Sequence, residues 1–240
     1  MSATLSDSRA RAPARRFLIL ACSPRAGGNS DAAARLFARS FAATAGGEAR
    51  TLFLRSLRVR ACIACGGCAR LARDIKAQRP DYPDRPTAAL GLFTRSPAFG
   101  CPLCLEDQSA ALLKDLASAS GLCLVSPVYF YHLPAALKAL VDRLQIFWSL
   151  REAGLDVFTA SERPCRVILI GARKRGDKLF EGSLLTLRYA LAGLGFYLAE
   201  PLLLHGLDGP GDLEGEAGAR ERVTGYGALA GGLSLGEADV

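Results

Sequence analysis

Five short apolar runs of strand length punctuate this chain, at 16–22, 49–54, 121–126, 165–171 and 196–204. The segments between them carry apolar residues at helical spacing. Ala33, Leu36, Phe37 and Phe41 share one face after the first run. Leu133, Leu137, Leu140, Val141, Leu144 and Trp148 form a single stripe over 134–149, and Pro134 suits the first turn of that helix. Leu184, Leu187, Leu191 and Leu194 align over 180–194, which ends at Gly195. A further helix is predicted over 107–119. Strands that alternate with helices in this way build a parallel sheet covered on both faces. The uninterrupted run at 121–126 predicts a central strand. Pro201, inside the last run, cannot donate to a ladder and predicts an edge. The fold class is therefore α/β, a doubly wound five-stranded parallel sheet of order 2-1-3-4-5.

The chain has 240 residues, half of them apolar, which is enough for one domain with a sizeable core. We read residues 1–14 as a disordered tail and 15–210 as the domain. Residues 60–106 form a cysteine-rich loop within it, of which 69–100 is an insertion. Residues 211–240 hold a helix over 213–224 followed by disorder. No apolar run approaches the roughly 20 residues of a membrane span. The stretch after Arg15-Arg16 is shorter than the apolar region of a signal peptide, about 7–15 residues. A cytoplasmic chain with reduced thiols is expected. The net charge of +7 is carried mostly by arginine. No basic stripe is interleaved with aromatics, so nucleic acid is not an expected partner. The charge favours anionic ligands instead.

In a sheet of this order, ligands bind at the carboxyl ends of the strands, where the turns after the first and third strands are neighbours. The first turn reads S-P-R-A-G-G-N-S over 23–30 and leads into a helix. Helix-start N–H groups, the side chains of Ser23, Asn29 and Ser30, the charge of Arg25 and the bare backbone at Gly27 and Gly28 suit an anion. The turn lacks G-x-G-x-x-G and the P-loop lysine, so it suits one terminal phosphate better than a pyrophosphate. The second turn reads S-P-V-Y-F-Y-H-L-P over 126–134. Its aromatics either pack in the core or offer a flat wall to a ligand.

Eight cysteines are present, and five of them cluster. Cys62, Cys65 and Cys68 form a C-x-x-C-x-x-C run, and Cys101-Pro102 and Cys104 follow at a distance. This spacing is similar to [4Fe–4S] ligation. Cys101 is favoured over Cys104 as the fourth ligand because Pro102 follows it. The gap from Cys65 to Cys101 exceeds the roughly 15–20 residues of a zinc ribbon, though zinc remains the rival reading. Cys22, Cys123 and Cys165 read as small buried residues.

The S-P-R-x-x-G-N-S and S-P-V-Y-F turns, with L-P-A-x-L-K-A-L-V-D-R after the second, resemble the NADPH-dependent FMN reductase family over residues 16–210. With the cysteines added, the chain resembles its iron–sulfur flavoprotein branch. The resemblance implies a flavodoxin-like fold in which the first turn holds the FMN phosphate. It also implies that Pro127, Val128, Tyr129 and Phe130 pack along the isoalloxazine and ribityl chain, with His132 at the flavin edge or on the surface. A third turn, Gly171 to Gly176, is similar to a loop that closes over the flavin. There Arg173 and its neighbouring cations either face the flavin or an NADPH phosphate, or are simply solvated. The expected activity is an NAD(P)H-dependent oxidoreductase passing electrons to a small molecule or a protein such as ferredoxin. A homodimer or homotetramer is expected. The alternative is a zinc-bearing or apo binding protein without turnover.

Overall fold

The computed structural model describes residues 17–45, 49–78, 101–155, 158, 163–176 and 178–236. The elements in order are β1 (Phe17–Ala21), α1 (Asn29–Ala45), β2 (Ala49–Phe53), a 3-10 turn (Leu54–Ser56), α2 (Gly67–Gln78), α3 (Leu103–Glu106), α4 (Ser109–Ser118) and β3 (Gly121–Pro127). They continue as α5 (Ala135–Arg143), α6 (Gln145–Glu152), β4 (Arg163–Gly171), α7 (Glu181–Ala192), β5 (Phe196–Leu198), β6 (Leu202–His205), α8 (Asp212–Gly215) and α9 (Ala217–Gly236). The sheet runs β2-β1-β3-β4-β5, every pairing parallel. This is the flavodoxin-like order 2-1-3-4-5 read from the sequence.

Strand side chains alternate between two cores. Leu18, Leu20, Leu122, Leu124, Val167 and Leu169 face the cluster built with α2 and α4 to α7. Phe17, Ile19, Cys123, Val125, Ile168 and Ile170 face the cluster built with α1, α8 and α9. Both faces are buried, which is why the strands read as apolar runs without a polar alternation.

Several boundaries differ from the sequence reading. The last run is not one strand. It breaks around Pro201 into β5 and β6, and both pieces pair in parallel with β4, β6 along its carboxyl half. A proline N–H is missing from the ladder, so the chain leaves the sheet and returns. The stripe over 134–149 is two helices that meet at Leu144. The kink follows Arg143, whose side chain is drawn into the interior (below). Trp148, expected on the apolar stripe, is 42 % exposed. Residues 69–78 of the expected insertion are helical, in α2, and the remainder of that insertion lies outside the described residues. The disordered tail read over 1–14 also lies outside them. The final helix continues to Gly236 instead of ending near 224.

That helix is held against α1 by close backbone approach. A Cβ on Gly227 would lie 2.8 Å from the Phe37 carbonyl oxygen and 3.2 Å from Phe37 Cα, whereas one on Gly225 meets nothing within 4 Å. Ser40 also donates to the Thr224 carbonyl at 2.6 Å. Gly227→Ala is therefore expected to cost about 1–3 kcal/mol through overpacking. Gly225→Ala should gain roughly 0.5–1 kcal/mol from helix propensity. Urea midpoints that move the same way for both would contradict this packing.

Candidate active site

Strand pairing brings the turns together. Ala21 aligns with Val125, and the Cys22 N–H donates to the Val125 carbonyl at 2.8 Å, one step beyond the end of β1. Pro127 aligns with Ile170 and Gly171 with His205. The turns after β1, β3 and β4 thus leave the same edge of the sheet, side by side.

In the first turn, the Gly28 carbonyl accepts the Asp31 and Ala32 N–H groups at 3.0 and 3.1 Å and starts α1. Ser23 Oγ accepts the Arg25 N–H at 3.1 Å and donates back to the Arg25 carbonyl at 3.2 Å, which folds the turn on itself. Arg25 is exposed, while Gly28, Asn29 and Ser30 are buried. The Asn29 side chain reaches the loop that follows β6. Its Nδ2 donates to the Gly209 carbonyl at 3.0 Å and its Oδ1 accepts the Leu213 N–H at 3.1 Å. It anchors the loop before α8, and one Nδ2 hydrogen is left over from these two bonds. Beneath the turn lies Asp31, buried, which accepts the Gly27 N–H at 2.8 Å and a two-pronged contact from Arg55 at 2.8 Å on each oxygen.

The second turn is a tight reversal in which Tyr129 and His132 exchange backbone hydrogen bonds at 3.0 and 2.9 Å. Phe130 and Tyr131 at its tip both have left-handed backbone, φ 49 and 64. For bulky residues this conformation is costly and typical of functional loops. Phe130 is fully exposed, and Tyr129 and Tyr131 are each 42 % exposed, so the aromatics form a projecting wall and not core. The Val128 N–H is tied to the Ile170 carbonyl at 2.9 Å. His132 Nε2 lies 3.0 Å from Thr186 Oγ1 on α7. The Arg173 guanidinium, from the third turn, sits 5.5 Å from the Tyr131 ring centre and so joins that turn to the aromatic wall. Gly171 is a close-packed position, because a Cβ there would fall 2.6 Å from a Leu179 methyl.

The cysteine cluster surrounds a cavity of about 770 Å³, lined by Cys62, Cys65, Cys68, Cys101 and Cys104 together with Arg143 and Trp148. Left-handed backbone at Ala64 and Gly66, φ 51 and 70, curls the first segment around it. Hydrogen-bond donors point at the sulfurs. The Ala64 N–H reaches Cys62 Sγ at 3.4 Å, Ser149 Oγ reaches Cys68 Sγ at 3.5 Å, and Arg143 Nη2 reaches Cys104 Sγ at 2.9 Å. Burial pushes the Cys104 thiol up, with the Ser109 hydroxyl and the Arg143 charge pulling against it. Among the described residues no three His, Cys, Asp or Glu side chains are grouped so as to hold a metal ion. Cys22, Cys123 and Cys165 are buried in the sheet, and burial raises all three thiols, so they are inert packing.

The profile of the NADPH-dependent FMN reductases matches residues 15–159. The chain belongs to this family. As a member of the NADPH-dependent FMN reductases it is an NAD(P)H-dependent oxidoreductase with FMN as cofactor, and the alternative of a protein without turnover is set aside. No curated protein matches it by sequence. Solved structures share the fold at low identity. An NADH:FMN oxidoreductase in its apo form is 13 % identical with a TM-score of 0.53, covering 94 % of this chain and 92 % of that one. An FMN-dependent NADH-azoreductase from Bacillus anthracis, in complex with FMN, is 16 % identical with a TM-score of 0.55, covering 90 % and 100 %. An NAD(P)H:quinone oxidoreductase from Methanothermobacter marburgensis is 16 % identical with a TM-score of 0.53, covering 91 % and 98 %. Among the described residues of this reductase-family chain, no helix is long and apolar enough to cross a membrane.

Sequence reasoning missed Asp31 and Arg55 under the first turn of this reductase, and Asp107, Ser109 and Arg143 behind the cysteines. Asp31, in the first turn of a helix, was a readable signal. The others depend on partners from distant segments.

Proposed function

We propose that the FMN phosphate sits on the turn at 23–30 and the flavin ring lies along Pro127, Val128, Tyr129 and Phe130. We further propose that the cysteine cavity holds a [4Fe–4S] cluster through Cys62, Cys65, Cys68 and one of Cys101 and Cys104. The observation that carries the flavin reading is the pairing of β1 with β3, which sets the two turns side by side at the carboxyl edge. Arg25, the Ser30 hydroxyl and the first N–H groups of α1 favour a phosphate dianion. Arg55 offsets the charge of Asp31, which would otherwise oppose it. The exposed aromatic wall offers a flat ring a face to lie along, and Arg173 adds positive charge beside it. When bound, FMN accepts hydride from NAD(P)H, and a cluster carries single electrons. The chain supplies position, charge and exclusion of water. The quinone and azo acceptors in the names of the compared structures make small aromatic acceptors the class to assay first, with ferredoxin as the one-electron alternative.

The test is an anaerobic visible spectrum before and after adding FMN and NADPH. A yellow complex that NADPH bleaches is the expected result. Protein that stays colourless with FMN would end the flavin reading. Iron and acid-labile sulfide in the same sample support the cluster, and zinc in their place removes it.

A further inference from the structure

We propose that Gly182 and Thr186 on α7, acting with His132, are positioning residues that hold the Phe130–Tyr131 tip in the shape to which the flavin binds. This rests on the reading that the flavin ring lies along 127–130.

Tyr129 and His132 form an antiparallel bridge and exchange both backbone hydrogen bonds, so Phe130 and Tyr131 are the two central residues of a tight reversal. Their φ values, 49 and 64, are both left-handed. A reversal of this kind is ordinarily filled by Asn-Gly, Asp-Gly or Gly-Gly, because a Cβ is crowded in that conformation. Here two adjacent aromatics adopt it. Burial does not offset the cost, since Phe130 is fully exposed and Tyr131 is 42 % exposed. A strained pair of this kind persists only where its surroundings over-determine it.

The surroundings are α7 and the turn after β4. At Gly182 the helix lies against the reversal: a Cβ there would fall 3.0 Å from the Tyr131 carbonyl oxygen and 3.3 Å from His132 Cδ2. Thr186, four residues on and so on the same helix face, places its Oγ1 3.0 Å from His132 Nε2. A hydroxyl both donates and accepts, so this bond forms whichever ring nitrogen carries the proton. The Arg173 guanidinium sits 5.5 Å from the Tyr131 ring centre. The stem below is fixed as well, by the Val128 N–H on the Ile170 carbonyl at 2.9 Å and by Leu133, buried at 6 % exposure. Released from α7, the tip would relax toward ordinary negative φ. FMN would then have to restore the bound shape out of its own binding energy, and its affinity would fall by the fraction of chains that still hold that shape.

The experiment uses the full chain. The FMN dissociation constant, from quenching of flavin fluorescence, and the urea midpoint of the FMN-free protein are measured for wild type, Thr186→Val, Thr186→Ser, Gly182→Ala, Tyr131→Gly and the variant combining Tyr131→Gly with Thr186→Val. Thr186→Val removes one hydrogen bond and should weaken FMN binding about 3–10-fold. Thr186→Ser keeps the hydroxyl and should bind as wild type does. Gly182→Ala pushes on the Tyr131 carbonyl and should weaken binding at least as much as Thr186→Val. Tyr131→Gly relieves part of the left-handed cost, so Thr186→Val should weaken binding less in that background. A merely structural contact would instead lower the urea midpoint and leave flavin affinity alone, which overturns the proposal. Wild-type affinity in Thr186→Val or in Gly182→Ala also overturns it. So does a Thr186→Ser that binds no better than Thr186→Val, or an undiminished effect of Thr186→Val beside Tyr131→Gly. If Gly182→Ala does not fold, the threonine variants and the combined variant decide by the same criteria. Wild-type protein that binds no FMN overturns the flavin reading itself, and this inference with it; that failure is visible before any variant is made.

Discussion

Asp107→Ala is expected to lower folding stability by about 3–5 kcal/mol. The Asp107 side chain is 0 % exposed and faces Arg143, which is 2 % exposed, at 3.0 Å. It also accepts the Ser109 and Arg60 N–H groups, each at 2.9 Å, and the Ser109 hydroxyl. Truncation to alanine leaves a buried cation and several donors without their acceptor. Asp107→Asn keeps the shape and part of the acceptor set, so a smaller loss of about 1–3 kcal/mol is expected. The pair of variants also carries a pH signature. Burial alone would raise the Asp107 carboxyl, but hydrogen bonds from Ser109 and Arg60, together with the Arg143 charge, outweigh it and hold the group below its ordinary value. The folded value therefore lies below the unfolded one, near 3.9. The stability it contributes is fully present above the unfolded value and is lost as pH falls through the folded one. The gap in urea midpoint between wild type and Asp107→Asn should be widest near neutrality and narrow below about pH 4. A gap that stays constant into acid would show that the carboxylate charge is not what the site uses.

What the sequence disclosed, and what it withheld, follows from the range over which each feature is encoded. Strand order and the meeting of the two turns were readable, because apolar periodicity and crossover handedness are properties of contiguous stretches. Pro201 was seen but read only as an edge signal. Its effect on the ladder, splitting one run into β5 and β6, depended on how far β4 extends beside it. The stripe over 134–149 looked continuous because Arg143 falls where a helix often carries a cation. Its inward course is set by Asp107, Ser109 and Cys104, from other segments. The final helix was underestimated because glycine-rich sequence has low intrinsic helicity. Gly227 is favoured there by the close approach of α1, which local propensity does not register. Asn29 carries a second role that its residue type did not disclose. Its residue type suited an anion site, and its amide also ties down the backbone at Gly209 and Leu213. The cysteine spacing suggested a metal site, but that Arg143 and Trp148 line the same cavity depends on segments the spacing does not register.

Arg55→Met should weaken FMN binding by about 10–100-fold, roughly 1.4–2.7 kcal/mol. Arg55 follows β2 and reaches under the first turn to Asp31, with side-chain exposures of 23 % and 2 %. Without Arg55, an unpaired carboxylate would stand beneath the turn proposed to hold a phosphate. Asp31 also accepts the Gly27 N–H at 2.8 Å, so it lies within the turn and not beside it. Arg55 is partly solvated, so its loss should cost folding only about 1–2 kcal/mol, less than breaking a fully buried pair. The effect should therefore appear in flavin affinity more than in the urea midpoint. A second substitution isolates the cause. Asp31→Asn in the Arg55→Met background removes the stranded charge while its amide oxygen can still accept the Gly27 N–H. Most of the lost affinity should return, and raised salt should rescue Arg55→Met but not the double variant. If Arg55→Met binds FMN as wild type does, the phosphate does not sit on this turn. If the double variant binds more weakly still, Asp31 helps the anion through structure and not through charge, and the role given to Arg55 is wrong.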